Sequence, residues 1–205
     1  MYKLKELHSD TITNSEILDL IKFCDDFGFE DSNYRYNHSS FEQCPNNWYT
    51  LMFNESRFAQ SVGGLCVAYD DDQIIGISGY NRSNIHPKIY VGAVRTLIHK
   101  DYRTALLTTQ LFLPYQIKAI ENCGGACAIW LFETETENTF YKVIRKESVR
   151  KALSRNSRQY HSDIIEHTVS LDYPIMVNNR PLNCLVRNID KDFKFDWESL
   201  KVVGF

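Results

Sequence analysis

The sequence predicts an α/β domain of the α+β kind, with a central mixed, mostly antiparallel sheet flanked by helices. Short apolar runs of strand length recur along the chain, and turn residues bound them. Between them lie segments whose apolar residues recur at spacings of three and four, which is typical of amphipathic helices. In the middle of the chain, three successive strand patterns precede a helical pattern and one more buried strand. Three antiparallel strands followed by a helical crossover therefore form the predicted centre of the fold.

Composition limits the class of protein. The chain has 205 residues, of which 43% are hydrophobic and 24% charged, as in soluble globular domains. A formal net charge of -3 argues against a general nucleic-acid binder, which would carry a basic excess. No apolar run approaches the roughly 20 residues of a membrane span, and the N-terminus lacks the apolar core of a signal peptide. We therefore expect a cytoplasmic protein that binds neither nucleic acid nor membrane.

The six cysteines give no sign of a metal site. They are scattered without paired Cys-x-x-Cys spacing, and the six histidines show no pairing at a spacing of four. We therefore expect ordinary thiols of a reducing cell and no bound metal.

The N-terminal part of the chain predicts a strand and a helix. Residues Tyr2 to His8 alternate modestly between polar and apolar. Thr13 or Asn14 then offers an N-cap for a helix that ends near Gly28, and Glu16 lies close behind the cap. The segment from residue 29 to residue 64 has no sustained period, so we interpret most of it as loop.

A hairpin and a central strand follow. The hairpin pairs Leu65–Tyr69 with Ile74–Tyr80 across an aspartate-rich turn, and the central strand is Ile89–Ile98. A long amphipathic helix comes next, in which Pro114 should produce a kink or a split. It leads to Ala126–Phe132, an uninterrupted apolar run that predicts a strand buried on both faces.

The C-terminal part predicts a closing antiparallel pair of strands. The two runs are Ile164–Leu171 and Leu182–Val186, joined by a turn-rich connection that contains Pro174 and Pro181. The tail Phe193–Trp197 alternates aromatic and polar residues, so it should add an edge strand or cover one. These late strands are also plausible contacts for a partner subunit in a homodimer.

The passage from the central strand into the next helix carries the functional signal. A strand that leads through a tight turn into a helix directs free backbone N–H groups and a positive dipole end at one point. An anion, most often a phosphate, is the natural ligand of such a point.

The segment Ile98–Arg103, IHKDYR, resembles the one that opens the acyl-CoA site in the GNAT superfamily of N-acyltransferases. In that family an aliphatic strand end and a turn closing in Tyr-Arg precede the helix that binds the CoA diphosphate. Phe140–Ile144 is similar to the family's later helix, whose Tyr stands near the thioester sulfur. The resemblance covers about the last two-thirds of the chain.

The resemblance implies a single GNAT-like domain over residues 1–205. Within it, 1–64 supply a strand, a helix and an acceptor-side loop, 65–145 the acyl-CoA-binding core, and 146–205 the closing strands. It also implies an N-acyltransferase, most simply an N-acetyltransferase, with acetyl-CoA as donor and a small-molecule or peptide amine as acceptor. The implied donor-binding residues are Leu97, Ile98, Arg103, Thr104, Ala105, Leu106, Leu107 and Thr108.

For catalysis, the resemblance assigns Tyr141 as the acid that protonates the leaving thiolate. For the base, Glu133 and Glu135 just past the strand that ends at Phe132 are the nearest carboxylates, and His99 in the polar turn is a third candidate. We select Glu135. The family places small residues, usually Gly, where this chain has Thr104, Leu106 and Thr108. That departure keeps open a second hypothesis, a catalytically inactive GNAT-like binding or scaffold module that has lost CoA binding.

Overall fold

The structure, a computed structural model, describes residues 2–26, 62–102, 112–132, 167–177 and 179–202. These residues form the following helices and strands: β1 Lys3–Leu7, α1 Asn14–Asp26, β2 Gly63–Asp70, β3 Gln73–Arg82, β4 Ile89–Ile98, α2 Leu113–Asn122, β5 Cys127–Phe132, β6 Thr168–Ser170, β7 Ile175–Val177 and β8 Arg180–Asn188. Short 3₁₀ turns cover Lys100–Tyr102 and Trp197–Leu200. The predicted α/β class, with a mixed and mostly antiparallel sheet, is confirmed.

The chain divides into two compact units. The first unit comprises Met1–Asn81 and Arg95–Arg103, and the second comprises Arg82–Val94 and Thr104–Phe205. This division does not test the single domain expected from the sequence, which stays a prediction.

Helix α1 begins with a reciprocal cap. The backbone N–H of Glu16 donates to Thr13 Oγ1 at 3.3 Å, and the backbone N–H of Thr13 donates to Glu16 Oε2 at 2.8 Å. The pair satisfies two N–H groups that the first turn leaves without helical partners. Lys5 of β1 forms an ion pair with the same carboxylate. The cap predicted at Thr13 or Asn14 is thus at Thr13, with Asn14 the first helical residue.

The sheet of the first unit is an antiparallel meander. β1 pairs with β2 from Lys3↔Tyr69 to Leu7↔Leu65, and β2 pairs with β3 across the turn that contains Asp71. Asp71 has a φ of 51°, a left-handed conformation that aspartate tolerates in tight hairpin turns. The predicted hairpin is confirmed, and both of its strands are longer than predicted.

One face of this meander is apolar and packs on α1. Side chains alternate between the faces of a strand, so one set of positions on β1 to β4 forms a buried cluster with the helix. Its members are Leu7, Leu20, Phe23, Leu65, Val67, Ile74, Ile77 and Leu97. This cluster positions the last residues of β4 in the first unit.

The opposite face carries a polar network. Tyr80 donates its hydroxyl proton to Glu6, and His8 Nε2 lies 3.2 Å from Glu6 Oε1. His8 Nδ1 lies 2.9 Å from the carbonyl oxygen of Gly63. Both ring nitrogens therefore face acceptors, which suits the imidazolium form. The hydrogen bond to Glu6 raises the pKa of His8, although burial opposes it.

The same contacts act on Glu6 with the opposite sign. Burial disfavours its carboxylate, but the hydrogen bonds from His8 and Tyr80 outweigh that cost and lower the pKa of Glu6. Glu6 and His8 thus stabilise each other's charged forms.

The sheet of the second unit is mixed. β4 pairs in parallel with β5 from Ile89↔Cys127 to Val91↔Ile129, and α2 lies in the connection between them. β5 pairs antiparallel with β8, whose other edge pairs with β6 and with β7. The predicted helical crossover to the strand that follows Ala126 is confirmed, and the structure adds that this strand is parallel to β4.

The core of the second unit is covered by the C-terminal tail. Its buried members are Ile89, Cys127, Ile129, Ile175, Cys184 and Val186. Phe193, Phe195 and Trp197 pack against this cluster, and the rings of Phe195 and Trp197 meet edge to face at 4.7 Å. Of the two roles expected for the tail, it takes the covering one, since an extended segment and a 3₁₀ turn replace an edge strand.

Two predictions in the second unit need correction. The turn-rich connection contains a strand, β7, because the turn residues lie at its two ends, where Pro174 precedes it and Asn179 follows with a φ of 61°. β8 also extends beyond the predicted Leu182–Val186 at both ends.

Pro114 lies in the first turn of α2, which begins at Leu113, and Phe112 just before the helix also has helical dihedral angles. The earlier part of the long predicted helix lies outside the described residues. The predicted kink or split at Pro114 therefore stays a prediction. Neither helix of the described ranges has the length and apolarity needed to cross a membrane.

Candidate functional site

The end of β4 is buried in the first unit. Leu97 and Ile98 are both buried, and Leu97 belongs to the cluster that packs on α1. His99, the next residue, donates its backbone N–H to the carbonyl oxygen of Ile75 on β3 at 2.9 Å. Because their side chains are buried, Leu97 and Ile98 can offer a ligand only their main-chain groups.

A 3₁₀ turn over Lys100–Tyr102 follows at once. The backbone N–H of Tyr102 donates to the carbonyl oxygen of His99 at 2.9 Å and closes the turn. The Tyr102 hydroxyl donates to Asp70 Oδ2 at 3.1 Å, at the end of β2. That bond to a carboxylate raises the pKa of Tyr102. The chain therefore approaches Arg103 in a fixed turn.

Aromatic contacts also hold this turn. The Tyr102 ring meets the Tyr2 ring edge to face at 6.0 Å and the His99 ring at 5.8 Å. His99 Nδ1 accepts the backbone N–H of Asp101 at 3.4 Å. Side chains from both ends of the first unit thus meet at Tyr102.

In the second unit, the backbone of β4 is irregular at Ala93, just past the last parallel pair with β5. Ala93 has a φ of 54°, an uncommon conformation for a residue with a Cβ. Its backbone N–H donates to Oε1 of the buried Gln116 on α2 at 3.1 Å. The Trp130 indole lies directly against the α-carbon of Gly92. A glycine inside a strand pattern is the sequence signal for such a close approach.

The buried thiols are unsuited to nucleophilic catalysis. Burial raises the pKa of Cys127 to about 12 and that of Cys66 well above its ordinary value, and it raises the pKa of Cys184 as well. Each remains a neutral thiol at physiological pH. Within the described ranges, no three His, Cys, Asp or Glu side chains are grouped so that they could hold a metal ion.

The sequence-predicted site is described only in part. Leu97 and Ile98 lie together at the end of β4, next to the turn that leads to Arg103. The remaining candidates lie outside the described residues, and their roles stay predictions. They are Arg103, Thr104, Ala105, Leu106, Leu107, Thr108, Glu135 and Tyr141.

The chain is similar in structure to several acetyltransferases. A protein of Desulfovibrio desulfuricans assigned to the GNAT family of acetyltransferases matches 93% of this chain and 99% of its own, at 8% identity and a TM-score of 0.52. The N-acetyltransferase PaiA of Thermoplasma acidophilum, in complex with coenzyme A, matches 92% and 99% at 11% identity and a TM-score of 0.52.

A third structure is YncA of Salmonella typhimurium, assigned as an acetyltransferase and solved with its cofactor acetyl-CoA. It matches 95% of this chain and 98% of its own, at 8% identity and a TM-score of 0.53. No protein-family model matches the sequence, and neither does any curated protein. At such low identities the shared feature is the arrangement of strands and helices, and the chain therefore has the fold of the GNAT acetyltransferases.

Proposed function

We propose that this chain is an acyl-CoA-dependent N-acyltransferase that transfers an acetyl group from acetyl-CoA to the amine of a small molecule or peptide in the cytoplasm. The observation that carries the proposal is the end of β4, where a buried strand passes through a tethered 3₁₀ turn and reaches Arg103. The fold is that of acetyltransferases, two of which were solved with CoA or acetyl-CoA. Because one fold serves many activities, the assignment depends on the residues of the site.

The donor site in this proposal starts at Arg103. The backbone N–H groups of the residues from Thr104 to Thr108 bind the diphosphate, and the guanidinium of Arg103 adds a charge-assisted contact. Backbone N–H groups of Leu97 and Ile98 polarise the thioester oxygen. The burial of both side chains supports a main-chain role for these two residues.

The chemistry is direct transfer. The amine nitrogen attacks the thioester carbon, the new C–N bond forms, and the C–S bond breaks. Glu135 takes the proton that the amine loses, directly or through water, and Tyr141 gives a proton to the leaving thiolate. The products are the amide and free CoA, and no metal is required.

Amine-dependent release of the CoA thiol tests this function. A panel of small amines and peptide N-termini, each incubated with protein and acetyl-CoA, should contain acceptors that release thiol stoichiometrically with amide. Tyr141→Phe should lower kcat by about a hundredfold, because positioned acid catalysis contributes at least that much. An exposed aspartate on the β2–β3 turn, Asp72, provides the control variant Asp72→Asn, which should retain full activity.

A second function, a GNAT-like module that no longer binds CoA, is favoured by one feature. Thr104, Leu106 and Thr108 carry side chains where close approach of phosphate oxygens to the backbone favours glycine. Such a module would show no change in melting temperature with acetyl-CoA. A ligand present at a hundred times its Kd adds about 2.7 kcal/mol of stability, which is readily measured.

A further inference from the structure

The turn before Arg103 makes a long-range contact that is not part of strand pairing. β4 is already fixed by the bond from the His99 N–H to the Ile75 carbonyl oxygen. Beyond that point the chain could leave the sheet in several directions. The hydroxyl of Tyr102 nevertheless reaches Asp70 Oδ2 at 3.1 Å, 32 residues away in sequence. The β2–β3 turn therefore holds the residue immediately before Arg103.

We propose that Tyr102 and Asp70 are positioning residues for the acyl donor, which fix the direction in which the chain enters the diphosphate-binding segment. The proposal rests on the proposed function, because it assigns the contact to the same donor site. Neither side chain is placed in contact with the donor. They act through the backbone that connects Tyr102 to Arg103.

The reason lies in the composition of the segment that follows. Successive N–H groups bind a diphosphate only when they converge on it, and glycines let a loop wrap around the ligand to achieve this. Thr104, Leu106 and Thr108 remove that freedom. Because non-glycine residues allow the backbone fewer conformations, the direction in which the chain leaves Tyr102 matters more for binding. The two hydrogen bonds of Tyr102, one from its N–H and one from its hydroxyl, define that direction.

Tyr102 is held by its ring as well as by its hydroxyl. The hydroxyl donates to a carboxylate oxygen at 3.1 Å, a bond of ordinary length and strength. The ring also contacts Tyr2 and His99, so the phenol is oriented before it meets Asp70. Tyr102→Phe would keep these ring contacts and remove only the O–H.

A double-mutant cycle on CoA affinity tests the proposal. The variants are Tyr102→Phe, Asp70→Leu and the combination, and Kd for CoA is measured by titration calorimetry on the full chain. Either single change should weaken CoA binding by about fivefold. The combination should weaken it no further, because each change breaks the same bond. Asp70→Asn keeps an acceptor oxygen and should remain within about twofold of the original affinity.

Steady-state kinetics separate positioning from simple stability. Tyr102→Phe should raise KM for acetyl-CoA while kcat and the KM of the amine stay unchanged. Asp72→Asn, on the same turn and exposed, is the matched control and should change none of these values. If Asp70→Leu does not fold, Tyr102→Phe decides alone.

Three outcomes distinguish the two proposals. If the protein without substitutions does not bind CoA, both the proposed function and this inference are wrong. CoA binding that stays within twofold in Tyr102→Phe would overturn the inference alone, as would a lower melting temperature with unchanged Kd. Additive losses in the combined variant would also overturn it, because the two residues would then act separately.

Discussion

Replacement of Gly92 by alanine should destabilise the second unit strongly. A Cβ at this position would lie 2.6 Å from Trp130 Nε1, 3.1 Å from Trp130 Cε2 and 3.3 Å from Gln116 Oε1. Ordinary contacts between such atoms are about 3.5 Å, so the nearest atom would have to move by about 0.9 Å. Trp130 is 1% exposed and Gln116 is 0% exposed. Neither can swing into solvent, and the backbone must adjust instead.

The expected cost combines two effects. Overpacking of a filled interior costs about 1–3 kcal/mol. Displacement of Gln116 also weakens its bond to the Ala93 N–H, and a hydrogen bond of this kind contributes about 0.5–1.5 kcal/mol. We therefore expect Gly92→Ala to lower the unfolding free energy by about 3 kcal/mol. For a chain of this length, that change corresponds to a fall in melting temperature of about 6–12 °C.

Urea denaturation of Gly92→Ala and Gly124→Ala provides the comparison. Gly124 has a φ of 78°, and no atom lies within 4 Å of the place that a Cβ would take, so alanine there meets conformational strain without a clash. It should cost only about 1 kcal/mol. If Gly92→Ala cost no more than Gly124→Ala, the account of close packing between Gly92 and Trp130 would be wrong.

Three further predictions concern buried groups. Because the pKa of His8 is raised in the folded protein, His8 contributes its full stabilisation below the unfolded pKa of about 6.5 and loses it as pH rises through the folded pKa. Because the pKa of Glu6 is lowered, Glu6 loses its stabilisation as pH falls below about 4.5. His8→Gln should therefore lose most stability, relative to the original protein, between about pH 4.5 and 6.5, and an equal loss at pH 9 in urea titrations would contradict this. Gly64→Ala places a Cβ 2.8 Å from His8 Cε1 and should cost about 2 kcal/mol, so a melting temperature unchanged within 2 °C (about 1 kcal/mol) would exclude the clash. Cys127 and Cys184 should react with a thiol reagent only as fast as the protein unfolds, and rapid labelling of either in the native protein would show that it is accessible.

The central elements can be predicted from the sequence because the signals agree. The bounds of β4 match the predicted Ile89–Ile98, and the β2–β3 hairpin lies at the predicted aspartate turn. Each is an apolar run with turn residues at both ends, so burial and turn chemistry specify the same limits. β7 escapes prediction because a strand of three residues, Ile175–Val177, is too short to show alternation and lies between strong turn signals.

The candidate site is less predictable because its contacts join distant parts of the sequence. Asp70 resembles any of several solvated aspartates in a turn, and no local pattern connects it with Tyr102. The polar network of Glu6 and His8 is hidden for a similar reason, since the alternation in β1 is modest and its partners lie on β2 and β3. Gly92 does carry a signal, a glycine inside an apolar strand.

A comparison of CoA with pantetheine shows whether this chain binds the diphosphate of CoA. Pantetheine retains the thiol-bearing arm but lacks the diphosphate, so calorimetric titration of the two separates the diphosphate contribution from the rest. We expect CoA to bind, pantetheine to bind at least about tenfold more weakly, and Arg103→Ala to remove most of this difference. Equal affinities for CoA and pantetheine, or no heat with either, would contradict a diphosphate site in the segment that starts at Arg103.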